Sequence, residues 1–194
     1  MIIFEFKQAG TKMQFIQQFF EGVTGYFIGW THSAVGQVHV LAALLALFSG
    51  VYLISTTKGT NKHRWLGYVY ISSMLIVNFS ALIRYQLTGS FNFFHAAALA
   101  SLVTITAAAW QLIRFKRTRM LAHIHAHGAL MVWSYYGLVA ALIAETVTRA
   151  LPFMLHGDGG WTRFLIALSI FMLISSVLTH RYIQRSVFQF RASQ

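Results

Sequence analysis

Five long apolar runs dominate this sequence, and they restrict its fold more than any other feature. The runs extend approximately over residues 34–55, 66–87, 94–115, 124–151 and 164–178. Each is close to the ~20 residues with which an α-helix crosses the hydrocarbon core of a bilayer. Because short loops join the runs, neighbouring helices should run antiparallel. We therefore predict an all-α fold, an integral membrane bundle of about five transmembrane helices around a four-helix core.

Composition agrees with a membrane protein and excludes several kinds of site. Hydrophobic residues make up 57% of the chain and charged residues only 10%, whereas an average soluble domain is about 25% charged. The absence of cysteine excludes disulfides, thiolate metal sites and thiol nucleophiles, and leaves histidine as the main ligand for transition metals. With one proline and no linker, residues 1–194 are predicted to form a single transmembrane domain.

The N-terminal segment, residues 1–33, differs from the apolar runs. In it Phe15, Phe19 and Phe20 alternate with the polar Gln17 and Glu21, a pattern typical of an amphipathic helix that lies in the membrane interface. A sixth span in this segment is the alternative. Residues 34–180 would form the helical bundle and residues 181–194 a basic tail.

Positive charge is concentrated in three segments that a five-span bundle places on one side. The net charge is +11, and by the positive-inside rule this side faces the cytoplasm. Basic loops of this kind contact anionic lipid headgroups, so the expected partner is the bilayer and not nucleic acid; a homo-oligomer is left open. The basic residues of the three segments are Lys58, Lys62, Arg64, Arg114, Lys116, Arg117, Arg119, Arg181, Arg185 and Arg191.

Histidines fall near both ends of the predicted bundle. Near the external end lie His39 of the first span and His95 of the third, and near the cytoplasmic end lie His63 of the second and His127 of the fourth. Bis-histidine ligation of haem requires two imidazoles at similar depth on facing helices. Alternate helices supply each pair, so we predict up to two haem b groups. This layout resembles that of di-haem b-type membrane cytochromes.

A histidine-based copper or zinc site is the alternative to haem. His123 and His127 are four residues apart and share a helix face, so they could chelate a metal ion with His63 as third ligand. The candidate ligands to haem iron or to such a metal are His39, His63, His95, His123 and His127. Under this alternative the chain binds or transports a transition metal. A second alternative is a non-catalytic assembly subunit of a membrane complex, with structural histidines.

Charged residues also occur inside the predicted spans. Glu145 is the one acidic residue within a span, and intramembrane carboxylates are costly enough to suggest a function. Arg149 follows it by four residues, and Arg84 of the second span should reach a similar depth. We interpret the three as a charge network that locks helices together, with binding of protons or quinol as the alternative.

Two sequence elements carry a family resemblance. Residues 63–70, HRWLGYVY, resemble the H-R-x-L-G-x-x-Y signature of predicted bacterial membrane proteins with the domain of unknown function 2306 (DUF2306). Residues 127–135 are similar to the H-x-x-x-M-x-x-S-Y element of that family. The matching residues of this second element are His127, Met131, Ser134 and Tyr135, and Arg149 fits the downstream arginine.

The resemblance implies a multi-pass fold in the bacterial inner membrane but supplies no reaction. It singles out His63, Arg64, His127 and Arg149. Arg64, beside His63, could hold a haem propionate or an anionic headgroup. We therefore expect a b-type haem protein, a membrane oxidoreductase that transfers electrons across or along the membrane with a quinol or another redox partner.

Overall fold

The regular structure is helical throughout the part of the chain that the computed structural model describes, which is residues 2–83, 89–150 and 158–192. Six helices follow one another there. They are α1 (Ile2–Thr31), α2 (Ala34–Ser55), α3 (Asn61–Ile83), α4 (Phe93–Thr118), α5 (Leu121–Ala150) and α6 (Gly160–Ala192).

Helices α2 to α6 each contain a segment long and apolar enough to cross a membrane, which confirms the predicted integral membrane bundle. Their bounds extend beyond the apolar runs. Helix α3 begins at Asn61 and α5 at Leu121, so the histidines that precede or start those runs lie inside helices. Helix α6 continues to Ala192, and the segment predicted as a basic tail is therefore helical as far as that residue.

The core of the bundle is formed by α2, α3, α4 and α5. Helix α2 packs most extensively on α3 and α4 on α5, and contacts between α3 and α4 and between α2 and α5 complete the four-helix arrangement. Small residues on the buried side of α2 let the helices approach closely. The buried core residues are Ala42, Ala46, Leu53, Tyr70, Met74, Val77, Ile105 and Leu138.

Helices α1 and α6 lie at the periphery of this core. Helix α1 packs on α5 and α2, and α6 packs on α5, where the Tyr136 hydroxyl donates a 2.8 Å hydrogen bond to the Met172 carbonyl. Most described side chains of α6 are exposed, as expected of a helix that faces lipid. The interfacial position of the N-terminal segment remains a prediction.

Tight turns set the antiparallel order of the core helices. Arg119 adopts a left-handed conformation with φ 57° and ends α4 only two residues before α5 begins at Leu121. Gly59, with φ 81°, lies in the turn from α2 to α3, where a positive φ favours glycine. We call the end at which these two turns lie the basic end, because it carries residues 58–64 and 114–119. The other end, where α2 and α4 begin, is the opposite end.

Candidate functional site

A hydrogen bond between α3 and α5 fixes the register of two histidines at the basic end. Tyr70 and Ser134 lie 2.8 Å apart, hydroxyl to hydroxyl. Ser134 uses its own proton on the Met131 carbonyl at 2.9 Å, so Tyr70 is the donor. His63 and His127 each precede this pair by seven residues, which is two helical turns or about 10 Å. Because α3 and α5 run in the same direction, the two imidazoles lie at matching heights.

The two imidazoles also lie near each other and are partly desolvated. His63 is close enough to His127 and to Lys58 for an electrostatic interaction with each. Nδ1 of His63 is buried and has no hydrogen-bond partner among the described residues. The structure therefore brings together the pair that the sequence assigns to the cytoplasmic end.

His127 is held in a defined tautomer. Its Nδ1 lies 2.9 Å from the carbonyl oxygen of Ala108 on α4. A carbonyl can only accept a hydrogen bond, so Nδ1 carries the proton and Nε2 carries the lone pair in the neutral ring. Donation of one ring N–H to a backbone carbonyl is the arrangement that orients histidine ligands toward a metal through the other nitrogen.

Open space lies beside His63 on its own helix. Gly67 follows His63 by one turn, and a Cβ atom at this position would have no neighbouring atom within 4 Å. One turn farther along α3, at the height of Tyr70, the helices pack tightly. A Cβ atom at Gly50 would overlap the ring of Tyr135 and lie 3.0 Å from Cε2 of Tyr70. Near the histidines a side chain at Gly67 would thus meet no atom, whereas toward the centre of the bundle aromatic rings pack against Gly50.

Positive side chains border the histidine pair. Lys58 donates hydrogen bonds to the carbonyls of Leu53 at 2.5 Å and Ile54 at 2.7 Å, which satisfies acceptors at the end of α2. Partial burial lowers the pKa of Lys58 from its usual value. Arg64, the residue after His63, is exposed.

His123 does not join the pair to form a three-histidine centre. Its Nδ1 lies 2.8 Å from Oε1 of Gln111 on α4, so the ring is oriented by a side chain of the neighbouring helix. Within residues 2–83, 89–150 and 158–192, no three histidine or acidic side chains come together in a group that could hold a metal ion. The predicted combination of His63, His123 and His127 is not assembled there as a metal site.

At the opposite end the histidines contact other groups. Nδ1 of His39 lies 2.7 Å from the Ser80 hydroxyl on α3, and Ser80 is also 2.6 Å from the Ile76 carbonyl, to which it donates. His39 is therefore the donor to Ser80. His95 is only 1% exposed and belongs to the capping box of α4, in which the Asn92 backbone N–H donates to His95 Nδ1 at 3.2 Å.

A cavity of about 510 Å³ lies between α2, α3, α4, α5 and α6. Glu145, the acidic residue within a predicted span, is among the residues that line it. Arg84 lies outside the described residues, as does the side chain of Arg149, so their predicted network with Glu145 remains a prediction. The polar side chains that line the cavity are His39, Asn78, Asn92, Ser101, Thr104, Ser134 and Glu145.

Sequence reasoning missed the partners that orient the histidines. The bond between Tyr70 and Ser134 has a visible signal, because His63 and His127 are each followed seven residues later by one member of that pair. The contacts of Ser80 and Gln111 have no such signal, since serine and glutamine within a span usually bond locally or to any adjacent helix.

Comparisons with known proteins agree with the two sequence elements. A family model described as a predicted membrane protein, DUF2306, matches residues 32–184. No curated protein and no solved structure matches the chain. The matched residues include α2 to α5 and both elements that meet at the basic end. Because the match spans most of the sequence, the protein belongs to the DUF2306 family of membrane proteins.

Proposed function

We propose that this protein is a membrane b-type haem protein that transfers electrons, and that His63 and His127 are the axial ligands of a haem at the basic end. One observation carries the proposal. The Tyr70–Ser134 bond holds two parallel helices in a register that sets these imidazoles at the same height, and they interact electrostatically. Bis-histidine ligation of haem requires two imidazoles at similar depth on facing helices.

The residues around the pair fit a haem in three respects. The tautomer of His127 leaves the Nε2 lone pair to bind iron, Gly67 has no side chain that would obstruct a flat ring one turn from His63, and the exposed Arg64 beside His63 could bind a propionate. When bound, haem supplies a one-electron couple between its ferric and ferrous states. His63 and His127 would hold this group, and the apolar core that begins two turns deeper at Tyr70 would limit the access of water to it.

A copper or zinc site is less well supported by the same geometry. A closed site for these ions needs three or four protein ligands, whereas two histidines suffice for haem. Among the described residues no group of three candidate ligands occurs. Haem is therefore the better match to a centre that has two imidazoles.

The opposite pair and the orientation complete the proposal. A second haem between His39 and His95 is the weaker position. Nδ1 of His95 accepts a hydrogen bond from the Asn92 backbone N–H, so the neutral ring carries its proton on Nε2, the nitrogen that would have to bind iron. We thus expect one haem per chain.

The basic loops support placement of the basic end in the cytoplasm of a bacterium, with the chain in the inner membrane. The redox partner is a quinol or another electron carrier.

The test is the absorption spectrum of the full chain purified in mild detergent from cells supplied with haem precursors. We expect a Soret band and sharpened visible bands on reduction. His63→Ala and His127→Ala should each lower the haem-to-protein ratio by at least about tenfold, because an axial ligand is lost.

His125→Ala is the matched control, since His125 lies on the same helix turn as His127 but points elsewhere; it should keep its haem. A colourless wild-type protein would refute the proposal. Stoichiometric copper or zinc, lost in His127→Ala, would replace it with the metal-binding alternative. A colourless protein that copurifies with a larger complex would favour an assembly subunit.

A further inference from the structure

The cavity of about 510 Å³ is open to the lipid-facing surface of the bundle. Its lining includes Leu44 and Leu142, which are exposed on α2 and α5. Most of the lining is apolar, and none of the lining residues is a lysine or arginine. A volume of this size is typical of sites for small organic ligands. A ligand that enters here comes from the membrane and carries no negative charge.

A polar pair inside the cavity keeps hydrogen-bonding capacity for such a ligand. Asn78 is 4% exposed and uses its amide protons on the Met74 carbonyl at 2.8 Å and on Ser101 Oγ at 3.0 Å. Among the described residues its Oδ1 accepts no hydrogen bond, and Ser101 accepts from Asn78 without donating. The pair therefore offers one acceptor and one donor to the cavity.

The depth of this pair excludes a phospholipid headgroup as its natural occupant. Ser101 lies eight residues into α4, about 12 Å along the helix from its start. Headgroups remain at the interface, outside the hydrocarbon core. A polar group that reaches Ser101 must therefore belong to a molecule that dissolves entirely in the membrane interior.

We propose that this cavity binds a lipid-soluble quinone or quinol, with the ring oxygen at Asn78 and Ser101. The hydroxyl of a quinol donates to Asn78 Oδ1, and the carbonyl of a quinone accepts from the Ser101 hydroxyl. One acceptor beside one donor thus recognises both forms of the same ring. Apolar residues of α2, α5 and α6 surround the remainder of the molecule.

The position of the cavity also relates it to the proposed haem. Ser134 lines the cavity and lies two turns, about 10 Å, from His127. As far as electron transfer is concerned, the inference rests on the proposed function. Binding itself does not, because neither His63 nor His127 lines the cavity.

The test measures binding of a short-chain alkylbenzoquinone to the full chain in lipid nanodiscs. Quenching of tryptophan fluorescence reports the binding. Trp133 lines the cavity, and Trp133→Phe identifies its share of the signal. An alkylbenzene of equal chain length lacks the oxygens. We expect it to bind about tenfold more weakly, which is the effect of losing hydrogen bonds to buried groups.

Two glycines give matched variants. A Cβ atom at Gly137 would lie in open space and Gly137 lines the cavity, so Gly137→Leu should weaken quinone binding at least about tenfold by filling the site. Gly25→Leu adds the same bulk on the peripheral α1, where a Cβ atom also meets no atom, and should leave the affinity within about twofold. Substitution of Asn78 would also remove a hydrogen bond between α3 and α4, so the polar pair is tested with Ser101→Ala. This variant should bind quinone about tenfold more weakly.

The inference is overturned if quinone and alkylbenzene bind alike, or if Gly137→Leu binds quinone as the wild type does. The His63→Ala/His127→Ala double variant separates the two proposals. It should bind quinone with unchanged affinity although it lacks haem. Loss of quinone binding in this variant would show that the quinone occupies the histidine site and would overturn the placement in the cavity.

Discussion

The two ends of the bundle each carry two histidines on alternate helices, but the imidazoles make different contacts. At the basic end, His127 donates to a backbone carbonyl of α4 and lies near His63. At the opposite end, His39 donates to Ser80 on the adjacent helix, and His95 completes the cap of its own helix. Residue type and depth alone thus do not define the role of a histidine in this bundle. The role depends on the group that is hydrogen-bonded to Nδ1 and on the side chains near the imidazole.

The ends also differ in packing. Toward the basic end the rings of Tyr70 and Tyr135 fill the core and contact Gly50 closely. Toward the opposite end the core helices enclose a cavity that is lined by Asn78 and Glu145, among others. Under the two proposals, the tightly packed half would hold two histidine ligands in register, and the half with the cavity would admit a molecule from the membrane.

Exchange of single histidines tests the comparison most strongly. His63→Ala should remove nearly all haem, at least about tenfold, whereas His95→Gln should retain it. Glutamine at the third helical position satisfies a capping box, so His95→Gln removes the imidazole and keeps the cap. The haem-to-protein ratio and the thermal unfolding midpoint are measured together. Loss of haem from a stable His95→Gln protein would make His95 a ligand and erase the difference between the ends.

Methyl groups added at two glycines test the difference in packing. Gly50→Ala should destabilise the protein by about 1–3 kcal/mol, because the new methyl group overlaps the ring of Tyr135. Gly137→Ala, at the cavity, should be neutral or stabilising by up to about 1 kcal/mol, since alanine favours helix and meets no atom. Unfolding by denaturant in detergent measures both. Equal effects would mean that the basic half is no more tightly packed.

The cap of α4 gives a smaller effect. Asn92→Ala removes the side chain that accepts from the Phe94 N–H at 3.0 Å, and should cost about 1 kcal/mol. Haem content should stay unchanged, because the cap lies at the opposite end. A stability equal to that of the wild type would show that His95 does not depend on the cap for its position.

Removal of the hydroxyl that sets the register should have the smallest effect on stability. Tyr70→Phe deletes the bond to Ser134 and should cost about 0.6 kcal/mol, the average for hydrogen bonds between membrane helices. Tyr136→Phe is the matched control, because it also removes one tyrosine hydroxyl and one hydrogen bond between helices, here to the peripheral α6. Only Tyr70→Phe should shift the haem spectrum. A shift of the same size in both variants would contradict a special role for the Tyr70–Ser134 register.

Much of the fold could be predicted from apolar length and charge alone. Runs near 20 residues specify the five spans, and the turns at Gly59 and Arg119 place the basic residues of two loops together. Helix ends were less predictable, because polar residues such as Asn61 and Lys62 continue α3 beyond its apolar run. The pairing of His63 with His127 followed from alternate helices and from the family resemblance.

The contacts of the individual imidazoles could not be predicted in the same way. A carbonyl acceptor such as Ala108 has no sequence signature, since every residue carries one. The capping role of His95 depended on where α4 begins, and the sequence placed this boundary only approximately. The alternative combination of His123 with His63 and His127 rested on helical spacing alone, and this spacing gives no sign that Gln111 of α4 lies 2.8 Å from Nδ1 of His123.

The sequence by itself determined that the chain is a membrane protein, that five segments are long and apolar enough to span a bilayer, and that the basic residues of two loops lie at the same end of the bundle. The tertiary structure decided which imidazoles lie near each other, which one belongs to a helix cap, and where the bundle opens. The physical reason is that these spans are apolar on nearly every side, so hydropathy cannot mark an inward face. Rotation and height of each helix are instead set by a few interhelical bonds, of which Tyr70 to Ser134 and Asn78 to Ser101 are the clearest.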